Sequence, residues 1–366
     1  MKLTRRGALG VIGGTLAAPY ARPSWAAAST VNVYNWSDYI GETTLADFEA
    51  ETGVGVVYDL YASAEEMQAK MLAGSTGYDV VLMSSLKLAS FIKAGVYQKP
   101  DRAKLPNWKN LDPAILKIVE GFDPGNLYGV PYMWGSVGFT FNMDMVKERL
   151  PDADLADLGT LLKPENAAKL ADCGISLLDS PTDFGFMVLS YLGLDASSAR
   201  EPEYRKMAEA VAPIRQYVST FDNANYLNTL PNGEICVANT WSGDYGVAKT
   251  RAKEAGIDIN LAYFVPKTGA PAWFDNWCIP SDAPNVEGAH KFLDYMLRPD
   301  VIAACTNFTG YANANKEATA LVDPAITGDP AVYPDAETMK RLYTPAPQSE
   351  EQDREIMRVW TEIKAG

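Results

Sequence analysis

Aromatic rings and carboxylates recur side by side along this chain. Trp36-Ser37-Asp38-Tyr39 is the first cluster, Trp241-Ser242-Gly243-Asp244-Tyr245 the second and Trp273-Phe274-Asp275-Asn276-Trp277 the third. Tyr311 places a further ring in a loop pattern, and Asp179 and Asp183 follow a strand pattern. An aromatic face attracts a cation. An ionised carboxylate makes strong charge-assisted hydrogen bonds to an ammonium group, and once buried it needs a cation to offset its own desolvation. A pocket walled by rings and ended by carboxylates suits a linear alkyl chain with ammonium ends. One such cluster is ordinary surface. Three at predicted strand ends, drawn from both halves of the chain, carry the reading.

Other chemistries find little support. The chain has one histidine, His290, on a helix that reads as an amphipathic surface segment, so a solvated side chain is expected there. There is no G-x-S-x-G, H-E-x-x-H, phosphate-binding loop or EF-hand loop. No catalytic residue, metal site or cofactor is expected. Carboxylates are numerous enough for a glycosidase-like pair, so a secreted carboxylate-pair hydrolase is the alternative from another class. The four cysteines, Cys173, Cys236, Cys278 and Cys305, show no C-x-x-C spacing and allow three full pairings.

The formal charge of −14 over 366 residues gives no electrostatic footprint for nucleic acid, and it favours cationic ligands. Residues 1–27 read as a signal peptide. They hold the pair Arg5-Arg6, a weakly apolar run from Gly7 to Ala18 and small residues at Ser24-Trp25-Ala26-Ala27. The twin arginine points to export in the folded state. Removing this segment takes away Lys2, Arg5, Arg6 and Arg22 and no acids, which brings the charge from −14 to −18. A periplasmic protein is expected, in a compartment that permits disulfides.

From Val31 onward the pattern alternates strand and helix. Strands are predicted at Val31–Tyr34, Val54–Tyr58 and Asp79–Met83. The helices between them open at Thr43-Thr44 and at the capping box Ser63-Ala64-Glu65-Glu66. This βαβαβα order predicts a parallel α/β sheet. Pro100 to Pro131 is read as loop-rich. A second α/β unit follows, with strands at Val137–Asn142, Ile175–Asp179 and Ile235–Asn239, and then Asn260–Phe264 and Trp273–Ile279 return to the first. The expected domains are 28–136 plus 259–307 for lobe 1 and 137–258 plus 308–366 for lobe 2. Strands crossing between lobes leave a cleft, where small ligands bind, and form a hinge.

Longer motifs then place the chain. Tyr34-Asn35-Trp36-Ser37-Asp38-Tyr39-Ile40, Ala73-Gly74-Ser75-Thr76-Gly77-Tyr78-Asp79, Pro131-Tyr132-Met133-Trp134, Arg251-Ala252-Lys253-Glu254-Ala255 and Tyr311-Ala312-Asn313-Ala314-Asn315-Lys316 are among them. On these motifs the chain resembles the periplasmic polyamine-binding proteins of ABC importers, above all those for putrescine. The resemblance implies a two-lobed, type II solute-binding fold. It implies a monomer that closes over putrescine or a related polyamine and delivers it to permease subunits. Spermidine or an acylated diamine is the alternative ligand. The family's ring box falls on Trp36, Tyr39, Trp241, Trp273 and Tyr311. Its amine-binding acids and hydroxyls fall on Ser37, Asp38, Ser84, Asp183, Asp244 and Asp275. Asp183 stands where relatives often carry Glu, and Trp273 where some have Phe. The stretch Met83-Ser84-Ser85-Leu86-Lys87 departs most from the family pattern; it is less polar and gains a cation. The resemblance also implies a disulfide between Cys173 and Cys236.

Overall fold

The computed structural model describes residues 30–61 and 63–366; the expected signal peptide lies outside them. Twelve strands join in one hydrogen-bonded network. They are β1 (Thr30–Trp36), β2 (Gly55–Tyr61), β3 (Val80–Ser84), β4 (Tyr97–Gln98), β5 (Val130–Asn142), β6 (Ile175–Leu177), β7 (Thr220–Phe221), β8 (Val237–Trp241), β9 (Leu261–Phe264), β10 (Ala270–Pro280), β11 (Ala312–Asn313) and β12 (Leu342–Tyr343). The main path runs β2-β1-β3-β10-β5-β8-β6-β7. As the alternation predicts, β1 pairs in parallel with β2 and with β3. The continuous apolar run of β3 is buried on both faces, which suits a strand covered by helices on each side.

Helix α1 (Thr44–Thr52) ends at Gly53, whose φ of 68° is the left-handed conformation that glycine adopts without strain. Helix α2 (Ala64–Ala73) starts where Ser63 Oγ accepts a hydrogen bond from the Glu66 N–H at 3.1 Å. Helix α3 (Ser85–Lys93) follows β3 directly. The stretch read as loop-rich contains a helix at Pro113–Val119, opened by Asp112 and Pro113.

Side chains alternate across the first sheet. Val31, Val33, Val80 and Leu82 enter one core, together with Tyr132, Trp277 and Phe292. Tyr34, Val81 and Met83 enter a smaller cluster on the opposite face. A second large core holds Phe139, Leu177, Phe184, Val237 and Trp360. Two long strands bridge the halves. Residues 130–136 of β5 pair with β10, whereas residues 137–142 pair with β8 and β9.

The cores divide the chain differently from the expected boundaries. Leu261, Val265 and Ala270, assigned to lobe 1, pack in the second core, because β9 pairs with the far half of β5. Tyr311, Ala312, Ala318 and Val332, assigned to lobe 2, pack in the first core, because β11 pairs with Trp134 and Met133. From 308 onward, the second core takes Ala331 and Ile356, Val359, Trp360 and Ile363 of the C-terminal helix Glu350–Ala365, with Leu342 and Tyr343 of β12 packed against it.

His290 is also corrected. It is 4% exposed rather than solvated. Its Nε2 accepts from the Asp101 N–H at 2.8 Å, and its Nδ1 lies 2.7 Å from the Val286 carbonyl. The apolar stripe of the helix Val286–Met296 is wide enough to take the histidine inside with Ala289, Phe292 and Leu293.

Cys173 and Cys236 form a disulfide, and Cys278 and Cys305 are free and buried. The bridge closes a loop of 63 residues. Native protein should therefore show no thiol reactive toward Ellman's reagent, and two after unfolding without reductant. Cys173→Ser/Cys236→Ser should lower the unfolding free energy by about 4 kcal/mol in urea titrations. Four thiols in the unfolded protein would contradict the pairing.

Candidate functional site

The site is built where strand ends of both halves meet the two bridging strands. β1 ends at Trp36, β3 at Ser84 and β8 at Trp241. Ligands of open α/β sheets lie outside the carboxyl ends of strands, and all three residues sit there. Trp273 and Asp275 are not at a strand end as expected. They lie within β10, which is longer than predicted, and as residues i and i+2 they share one face of it. Asp275 is opposite Ser84, and the pairing of β10 with β5 slips beside it, between Phe274 and Asn276. Trp277 instead joins the first core against Tyr132 and Phe292.

Tyr311 is the hub. Its ring packs edge-on against Tyr39 at 5.4 Å and against Trp273 at 5.2 Å. Its hydroxyl donates to Asp244 Oδ1. The Tyr226 hydroxyl donates to the other oxygen, Oδ2. Asp244 belongs to the first turn of the helix Ser242–Glu254, where an anion is favoured by the exposed N–H groups. A side chain at Gly243 would collide with the Tyr311 ring, so the glycine permits this approach. At Gly135 an added Cβ would lie 2.6 Å from both Ser242 Oγ and the Trp273 ring.

Asp183 sits in a π-helical turn, Pro181–Gly185, and accepts from Trp241 Nε1 at 3.3 Å. Such turns often occur at functional positions. Trp36 packs against Tyr61 at 4.4 Å. Ser37 and Asp38 are exposed at the rim. Asp38 has a positive φ of 53° and lies 3.7 Å from Arg251 of the helix Ser242–Glu254, an ion pair across the cleft. Asp179 is not part of the site: Trp360 Nε1 at 2.8 Å and Lys364 Nζ at 2.7 Å bind it to the C-terminal helix.

Three carboxyls are held well above the usual carboxylate range. Burial pushes Asp275 up to about 7, against the pull of the neighbouring Tyr39 hydroxyl and with help from the charge of Asp183. Burial pushes Asp244 up to about 6, against its two tyrosine hydrogen bonds and the more distant Arg251. Burial likewise takes Asp183 to about 6, opposed by Ser180 and Trp241 and aided by Glu65. Among the described residues, Arg251 is the one cation that pulls any of the three down, and it acts on Asp244. The Trp273 N–H is buried without a hydrogen-bond partner among the described residues. No group of three or more metal-binding side chains occurs among the described residues. Aromatic rings and ionisable acids brought together in this way can hold a cationic solute.

Several members of the site were not expected from the sequence. Tyr226 lies in a stretch with no pattern to mark it, 18 residues from the acid it grips. Ser136 and Tyr263 hydrogen-bond to each other at 3.0 Å beneath Ser242 and carried no signal either. Arg251 did carry one. It follows Asp244 by two helical turns, on the same face of one helix.

The profile of the bacterial extracellular solute-binding proteins matches residues 43–334. The putrescine-binding periplasmic protein PotF of Escherichia coli is 43% identical over all of this chain and 99% of its own length. The putrescine-binding periplasmic protein SpuD of Pseudomonas aeruginosa is 46% identical over 96% of each chain. In structure, the spermidine/putrescine ABC transporter substrate-binding protein PotD from Streptococcus pneumoniae superposes with a TM-score of 0.76 at 26% identity, covering 92% of this chain and 99% of that one. These relatives are substrate-binding transport proteins rather than enzymes, PotF and SpuD are periplasmic, and the two-lobed fold of solute-binding proteins is the fold seen here. The chain thus belongs to the bacterial extracellular solute-binding proteins, as a substrate-binding protein of the periplasm.

Proposed function

We propose that this protein captures putrescine or a closely similar diamine and delivers it, as a monomer without a nucleic-acid partner, to an ABC importer. One observation carries the reading: Asp183 is hydrogen-bonded by Trp241, Asp244 by Tyr311, and Asp275 lies beside Tyr39, so three acids sit against rings, where burial pushes each toward its neutral form. An ammonium group offsets that desolvation, and Trp273, Tyr311 and Tyr39 supply faces for methylenes and charge. PotF and SpuD, to which the chain is similar, are putrescine-binding proteins, which supports the reading. Closure is then a population shift driven by a ligand that touches both lobes.

Calorimetric titration with putrescine, cadaverine, spermidine, spermine and 4-aminobutyrate tests the proposal. Putrescine should bind tightly and 4-aminobutyrate should give no heat. Heat from 4-aminobutyrate but from none of the amines would refute it. Asp244→Ala and Asp275→Ala should each weaken the amine by at least about tenfold, because a buried ammonium loses its partner. Wild-type affinity in either variant would remove that residue from the site.

Stability gives a second check. As pH rises past about 4 the unfolded chain releases its aspartate protons, while the folded, ligand-free protein keeps three of them until about 6 to 7. The folded state then binds more protons, so the stability these groups contribute is full below about pH 4 and is lost as pH rises from there through about 6 to 7. Asp275→Asn should therefore raise the ligand-free melting temperature at pH 7.5 and leave it nearly unchanged at pH 4. An equal or lower melting temperature at pH 7.5 would contradict the burial argument.

A further inference from the structure

The four residues Ser84–Lys87 run from the cleft to the opposite lobe. Ser84 ends β3 opposite Asp275. Ser85 is buried, and its Oγ accepts from Asn276 Nδ2 at 2.7 Å, which fixes the first turn of α3 to β10. Leu86 packs against the second core, although α3 itself, through Leu88 and Phe91, belongs to the first lobe. Lys87 forms an ion pair with Asp353 of the helix Glu350–Ala365. That helix is part of the second lobe. Val359 and Trp360 are buried in its core, Lys364 grips Asp179, and Gln352 donates to the Ser197 and Ala199 carbonyls at 3.2 and 3.1 Å.

Both partners have local reasons to seek each other. Lys87 is in the first turn of α3, where the helix end repels a cation, and Asp353 is in the first turn of its own helix, where an anion is favoured. Lys87 is 18% exposed and Asp353 32%, so solvent screens this pair less than Asp38–Arg251, where Asp38 is 71% exposed. We propose that Lys87 and Asp353 form an inter-lobe clasp that holds the closed cleft and lengthens the residence time of the bound solute. Lys87 is a positioning residue: it contributes no group to the ring-and-acid pocket. The clasp requires a solute receptor that opens and closes, and it does not depend on the solute being a diamine.

The test compares wild type with Lys87→Met, Asp353→Asn and the swap Lys87→Glu/Asp353→Lys in the full mature chain. Spin labels at Glu42→Cys and Glu254→Cys, both exposed and on opposite lobes, report inter-lobe distance without ligand. At low salt the wild type and the swap should populate a short distance that Lys87→Met and Asp353→Asn lose. Adding 0.5 M NaCl should remove it from the wild type. With putrescine as the probe, stopped-flow dissociation should be about fivefold faster in Lys87→Met, with association changed less than about twofold, and the swap should restore the slow rate. Identical distance distributions in wild type and Lys87→Met overturn the clasp, as does an unchanged dissociation rate or a swap that behaves like the single variants. If putrescine gives no signal with any variant, the diamine reading falls and the ligand-free distances still decide the clasp.

Discussion

The structure depends on a costly arrangement: carboxylates buried among rings with too little positive charge beside them. Asp244 shows how the cost is contained. Two tyrosine hydroxyls from distant parts of the chain, Tyr226 and Tyr311, each take one of its oxygens, and its place in the first turn of a helix adds favourable N–H dipoles. These contacts keep the acid in position, yet they do not return its titration to the ordinary range. The cleft is thereby preorganised for more positive charge than Arg251 supplies. Preorganised groups lose little freedom on binding, which is how a small ligand gains affinity from few contacts.

The scaffold follows from that requirement. The acids must come from both lobes so that a ligand can draw the lobes together. Asp183 and Asp244 belong to elements around the second core, while Asp275 lies on a strand that pairs with β3 of the first. β5 and β10 run through both halves, so the lobes hinge on continuous strands and not on loose linkers. Tyr311 reaches the second lobe's Asp244 from a segment packed in the first core. The hub therefore couples the lobes and the ligand space through one side chain.

Much of this was legible in the sequence, for identifiable reasons. The parallel start of the fold was visible because the apolar run 80–83 and the Ser63 cap are local signals that agree with the tertiary structure. The ring and acid clusters were visible because those side chains lie next to each other in sequence. What was not legible depended on long-range pairing. Nothing local shows that β9 joins the far half of β5, or that β11 returns to the near half, so the expected lobe boundaries misplace both. His290 was misread because a helix buried over a broad stripe can take a histidine that finds two backbone partners. Asp38 stands in the first cluster, yet it faces Arg251 at the rim, since one residue of positive φ turns the chain outward there.

Asp183 and Asp244, pushed up to about 6, and Asp275, pushed up to about 7, retain part of their protons in the empty cleft at mildly acidic pH and give them up to an arriving cation. Proton exchange on putrescine binding measures this directly, by calorimetry at pH 6.5 in buffers of different ionisation enthalpy. Putrescine is fully protonated at that pH, so any proton released must come from the protein. Net release of protons is expected, falling toward zero by pH 8.5 as the acids ionise on their own. Binding without proton release at pH 6.5 would mean the acids are already ionised in the empty cleft, and that their burial does not hold them above the ordinary carboxylate range.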